Sequence, residues 1–116
     1  MTKRVLKNID YLKLLQCSSK SDRIRLLTGA KSDQINAICD CIKNILLGNI
    51  EITPSQKKKL QPKKNLLRRL ADKKTKSKER KKLLIQQGGS AFLPLLVSAV
   101  GGTLLKEILP KVLPRR

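Results

Sequence analysis

Apolar residues recur at intervals of three and four along much of this chain, and no stretch alternates apolar and polar residues for long enough to make a strand. From Thr2 to Gln16 the positions Val5, Leu6, Ile9, Leu12 and Leu15 share one helical face, with Tyr11 and Leu14 beside them. Ser18, Ser19 and Ser21 break that pattern, and Ser21-Asp22 offers an N-cap for a short helix carrying Ile24, Leu26 and Leu27. Gly29 ends it. Ser32-Asp33 opens the clearest helix, with Ile35, Ile38, Cys39, Ile42, Ile45 and Leu46 in one stripe and Gly48 just past the end. The segment Asn49-Ile50-Glu51-Ile52 is short and lies between two helix signals. Residues 1–50 therefore predict a small three-helix head, and the chain as a whole predicts an all-α fold.

Charge divides the chain differently. Lys and Arg number 27 and Asp and Glu 8 among 116 residues, a net charge of +19. Residues 1–50 hold nine bases and four acids, and residues 88–116 hold four bases and one acid. Residues 51–87 hold fourteen bases and three acids, so more than half the excess lies in about a third of the chain. The segment starts with a capping box, Thr53-Pro54-Ser55-Gln56, in which Thr caps, Pro occupies the first helical position and Gln reaches back. Lys57, Lys58, Lys59 and Leu60 follow before Pro62 interrupts. Leu66, Leu67, Leu70 and Ala71 then share a face, with Lys63, Lys64, Arg68, Arg69, Lys73 and Lys74 mostly opposite. Lys76 follows, and Ser77 offers a cap for a last basic turn through Lys78, Arg80, Lys81 and Lys82 into Leu83, Leu84 and Ile85.

Such density makes an isolated helix repel itself, so an extended basic arm, partly disordered until counterions arrive, is expected over 51–87. A phosphate backbone supplies the counterions. The fourteen side chains from Lys57 to Lys82 are thus the candidate nucleic-acid contacts, although the same composition also suits a solvated face or a nuclear-import signal. No helix-turn-helix, zinc finger or cluster of Asn and Gln beside the Arg residues is evident, so sequence-independent binding is expected. Phosphate contacts do not separate DNA from RNA.

The absence of His removes the usual neutral-pH general base and the commonest zinc ligand. One Tyr and one Phe are too few for a base-stacking platform. Cys17, Cys39 and Cys41 offer three thiols where a structural zinc site takes four ligands. Cys39 and Cys41 point about 200° apart on a helix and can neither bond nor share a ligand there. They read as small core residues, with an intermolecular disulfide or a redox role as the other openings. The acids are few and scattered, and no nucleotide loop appears, so neither an enzyme nor a metal or cofactor is expected. Lys7, Asp10 and Lys13 interrupt the first apolar stretch, so no signal peptide is expected.

After Gly88-Gly89 the composition changes: no charge occurs from Leu83 to Leu105. Pro94, Gly101-Gly102 and Pro110 punctuate this hydrophobic tail. Its later part places Leu104, Leu105, Ile108, Leu109, Val112 and Leu113 in a helical stripe, with Lys106, Glu107 and Lys111 opposite. Phe92, Leu93, Pro94, Leu95 and Leu96 resemble the start of short cationic membrane-lytic peptides, which lie in the bilayer interface. The tail admits three readings: a membrane-active peptide, a helix packed on the head or on another copy, and a membrane span.

The order of parts is specific. A Cys-containing helical head precedes Thr53-Pro54-Ser55-Gln56-Lys57 and the basic arm, and then Lys81-Lys82-Leu83-Leu84-Ile85-Gln86-Gln87-Gly88-Gly89 leads into Phe92-Leu93-Pro94-Leu95-Leu96. It resembles the small basic virion proteins of adenovirus-like Maverick/Polinton elements and adintoviruses, relatives of adenovirus core protein X (mu). The resemblance spans most of residues 35–109 and is most specific over 81–96. It implies a virion protein packaged with double-stranded DNA, present in the host nucleus during assembly, in contact with capsid proteins and cut by a maturation protease. That protease's Gly-Gly pattern matches Gln86-Gln87-Gly88-Gly89, with Gln86 a less usual first residue, and places the cut between Gly89 and Ser90. A helix C-cap and hinge is the other reading of the glycine pair. The expectation is a virion core protein that condenses DNA and carries a membrane-active tail over 88–116. The alternative is a host-directed regulator or assembly factor whose head binds a protein and whose basic segment is a nuclear address.

Overall fold

Asn8 divides what the spacing predicts as one helix. In the computed structural model, which describes residues 3–86 and 93–101, α1 spans Lys3–Lys7 and α2 spans Ile9–Cys17. The Asn8 amide donates to the Arg4 carbonyl and to Asp33 Oδ2, both at 2.9 Å, so it offers the backbone an alternative to the helical ladder. Helix α3 (Lys20–Thr28) begins two residues earlier than the Ser21 cap would place it. The Ser19 hydroxyl accepts the Asp22 N–H at 3.3 Å. Gly29 closes α3 as expected, its N–H donating to the Arg25 carbonyl at 3.0 Å.

Helix α4 (Ser32–Leu46) is the axis of the molecule. The Gln34 side chain accepts the Lys31 N–H at 2.9 Å and so fixes its start. Past its end Gly48 takes a φ of +79°, a left-handed conformation that any Cβ would strain. Ile35, Ala37, Ile38, Cys39, Cys41 and Ile42 are all buried, which places apolar side chains around most of its circumference. Helices α1, α6 and α7 account for this by packing on different sides of it. Arg4 and Lys7 of α1 also reach acids of α4: Arg4 Nε lies 3.5 Å and Lys7 Nζ 3.8 Å from Asp33, and Arg4 lies 3.3 Å from Asp40. The Asn8 hydrogen bond, with Lys7 and Arg4 beside it, holds the Asp33 carboxyl below the usual carboxylate range.

The basic segment is helical and packed. Helix α5 (Pro54–Leu60) starts from the expected capping box, in which Thr53 Oγ1 accepts the Gln56 N–H at 3.1 Å and Gln56 Oε1 accepts the Thr53 N–H at 2.9 Å. Pro62 sits in a 3-10 turn, Gln61–Lys63, that redirects the chain into α6 (Lys64–Ala71). Helix α7 (Ser77–Gln86) follows, and a last helix, α8, covers 93–101. No strand occurs among the described residues, and Ile50 is buried from a loop.

The expected extended, partly disordered arm is therefore corrected. Leu60, Leu67, Leu70 and Leu84 belong to the same core as Val5, Leu12, Leu15, Leu27, Ile38 and Ile42. An arm held away from the head would leave those leucines in water, at a cost of about 1.5–3 kcal/mol each. That burial outweighs the self-repulsion of the surrounding lysines. Leu93, Leu96, Val97, Ala99 and Val100 of α8 enter the same core. Pro94 is itself helical within 93–101, where the sequence reading takes it as an interruption.

Candidate nucleic-acid interface

Helices α5 to α7 turn their leucines to α4 and most of their bases to water. Of the fourteen candidate contacts, Lys57, Lys58, Lys59, Lys64, Arg68, Arg69, Lys73, Lys74, Lys76, Lys78 and Lys82 are exposed. Lys64 and Arg68 stand one turn apart on α6, and Lys78 and Lys82 one turn apart on α7. Lys73, Lys74 and Lys76 occupy the connection between those two helices.

The two acids between Pro54 and Gln86 are both committed locally. Glu79 pairs with Arg69, and Asp72 Oδ1 accepts the Lys74 N–H at 3.0 Å in a turn. Asp33 and Asp40 face α1. Setting aside Arg69, ten exposed bases of α5–α7 and their connections make no ion pair among the described residues. A surface with that much uncompensated charge raises the local concentration of anions and steers their approach.

Arg80 and Lys81 are placed differently. Ser77, Arg80, Lys81 and Leu84 follow the three-and-four spacing of one helical stripe, and all four are buried or half-buried. Arg80 donates to Asn36 Oδ1 of α4 and to the Asp72 carbonyl, both at 2.9 Å. Its Nε is buried without a hydrogen-bond partner. Lys81 Nζ donates to the Ala30 carbonyl at 3.0 Å. These two cations dock α7 onto the loop before α4 and onto α4 itself, with their aliphatic stems inside and their polar ends on acceptors. Lys63 is half-buried and engaged in an interaction of its own. The interface is thus narrower than the run of fourteen.

Thr75 is a residue the sequence reading passes over. It is buried, its hydroxyl donates to the Arg69 carbonyl at 2.8 Å and its N–H to the Asp72 carbonyl at 3.1 Å. It closes the turn that presents Lys73, Lys74 and Lys76. The spacing Asp72 to Thr75 carries that turn signal, but it lies inside a run whose composition draws attention first.

Among the candidate membrane-active residues, Leu93 and Leu96 are buried in the core and Leu95 is half-buried. Gln16 of α2 donates to the Ser98 hydroxyl of α8 at 2.9 Å. In this fold residues 93–101 of the tail are therefore a packing element. Phe92, Leu104, Leu105, Ile108 and Leu109 lie outside the described residues, as do Gly89 and Ser90. Among the described residues no helix is long and apolar enough to cross a membrane, and no cluster of ligating side chains could hold a metal ion. Cys39 and Cys41 are buried, and burial pushes both thiols up to about 12. Cys17 is exposed.

Comparison with models of known protein families, with curated proteins and with solved structures finds no match for this chain.

Proposed function

We propose that the outer surface of α5–α7 binds the phosphate backbone of double-stranded DNA without reading its bases, as a virion core protein that condenses packaged DNA. The observation that carries this reading is the set of ten exposed bases without an ion pair among the described residues, on helices α5–α7 and their connections, whose two acids are already engaged. Each phosphate neutralised releases condensed counterions, so affinity falls with salt at about −0.9 per contact on a log-log plot. If about eight of these side chains engage the duplex, the slope is near −7. The resemblance to adenovirus-like virion proteins supplies the setting, and the hydrophobic tail supplies a second task, disturbance of a host membrane once α8 leaves the core.

The test is duplex binding over a range of salt concentrations, with scrambled sequences of equal length. A steep slope and equal affinity for unrelated sequences are expected. Changing Lys73, Lys74, Lys76 and Lys78 together to Glu should flatten the slope by at least four contacts' worth, whereas a wild-type slope shallower than about −3 overturns the reading. Mass spectrometry of purified particles tests the virion assignment, which fails if the chain is missing from them.

A further inference from the structure

Where α4 ends, the chain leaves a groove of about 440 Å³ between the C-terminal turn of α4, the 48–52 loop, α5 and α6. Ile45, Leu46, Ile50, Ile52, Leu60 and Leu67 form its walls. Leu46 at the lip is 41% exposed and the adjoining Leu47 64%, so two neighbouring leucines stand exposed at its edge. The polar lining consists of Lys57, Lys64 and Gln61, and no acid lines the groove. An aliphatic cleft of this size, with a few polar groups in its lining, is the ordinary form of a small-molecule site.

The composition of the groove selects its occupant. Its walls carry no aromatic ring to stack on and no carboxylate to hold a cation. Two ammonium groups on α5 and α6 stand beside six aliphatic side chains, so the complementary ligand has one flexible apolar chain and one anionic end. The chain's own residues 102–116 are poorly matched, since they set Lys106, Lys111, Arg115 and Arg116 against a single Glu107. We infer that this groove binds a fatty-acid-like carboxylate, its alkyl chain against Ile45, Ile50, Ile52, Leu60 and Leu67 and its carboxylate between Lys57 and Lys64. This site goes beyond the binding of nucleic acid. It shares two lysines with that surface and none of its apolar walls.

Isothermal titration of the full chain with dodecanoate, below its micelle-forming concentration and without nucleic acid, tests the proposal. One molecule bound per chain is expected, with butyrate inert and dodecyltrimethylammonium weaker by about ten-fold or more. Lys57→Glu/Lys64→Glu should weaken dodecanoate by about ten-fold or more, while Lys73→Glu/Lys74→Glu, with the same change in net charge, changes it by less than about three-fold. Ile52→Gln keeps every charge and should also weaken dodecanoate while leaving duplex affinity unchanged, which reads the groove separately from the DNA surface. Equal losses in the two lysine pairs, several molecules bound per chain, equal binding of the cationic amphiphile, or unaltered binding by Ile52→Gln would each overturn it.

Discussion

Tyr11 is buried on α2, and its hydroxyl donates to the Leu26 carbonyl of α3 at 3.0 Å. Burial disfavours the phenolate and pushes the group from 10.0 up to about 12. A raised value in the folded state makes a contribution that is complete below the unfolded value and is lost as pH rises towards the folded one. The stability difference between the wild type and Tyr11→Phe is therefore expected to be constant below about pH 10, near 1 kcal/mol for the lost hydrogen bond, and to shrink between about 10 and 12. Urea titrations of both proteins at several alkaline pH values measure it, and a difference independent of pH would contradict the burial of the phenol. The cysteines divide at the same scale. A thiol reagent should label Cys17 in the native chain and reach Cys39 and Cys41 only on unfolding, because both are buried on α4. Arg80 and Lys81 show what composition conceals. Counting back from Leu84 by three, four and seven lands on Lys81, Arg80 and Ser77, so the stripe was legible to anyone who anchored it on the leucine.

At the scale of elements, boundaries were set by short-range chemistry and were largely readable. Gly29, Gly48 and the Thr53 capping box end or start helices where their residue types require. Thr53→Ala should lower stability by about 1 kcal/mol, measured by thermal or urea unfolding, since it removes the acceptor of the Gln56 N–H and leaves the Gln56 side chain in place. The misplaced boundaries have equally local causes. The 3-4 spacing runs straight through Asn8, whose amide competes for backbone carbonyls, and the cap of α3 falls on Ser19 because its hydroxyl accepts the Asp22 N–H three residues on. Helix geometry separates Cys39 and Cys41 by about 200° around α4. That both are buried required knowing that α1, α6 and α7 surround the helix.

For the whole molecule, charge and hydrophobicity are segregated along the chain and layered in the fold. The basic segment contributes Leu60, Leu67, Leu70 and Leu84 to one core and most of its lysines to the surface, so the proposed polyanion-binding face is displayed on a packed scaffold. Helix α8 buries Leu93, Leu96, Val97 and Val100 in that core, so the proposed membrane activity requires the tail to leave it. A synthetic 90–116 peptide should release dye from anionic vesicles at micromolar concentration, whereas the intact chain should do so much less. Equal leakage from both would mean that packing does not restrain the tail, and no leakage from the peptide would leave α8 as a packing element alone.

The sequence by itself determined the helices, most of their ends and the concentration of positive charge over 51–87, because these rest on spacing, caps and residue counts within a few turns. Only the tertiary structure decided that the basic segment is part of the core-bearing bundle, that Arg80 and Lys81 face inward, and that residues 93–101 pack in the core, where the sequence leaves a membrane-active peptide, a packed helix and a membrane span open. Periodicity fixes the angle between side chains around a helix, but not which angle meets a neighbour. That choice belongs to long-range burial, where a few leucines removed from water outweigh the repulsion of many lysines left in it.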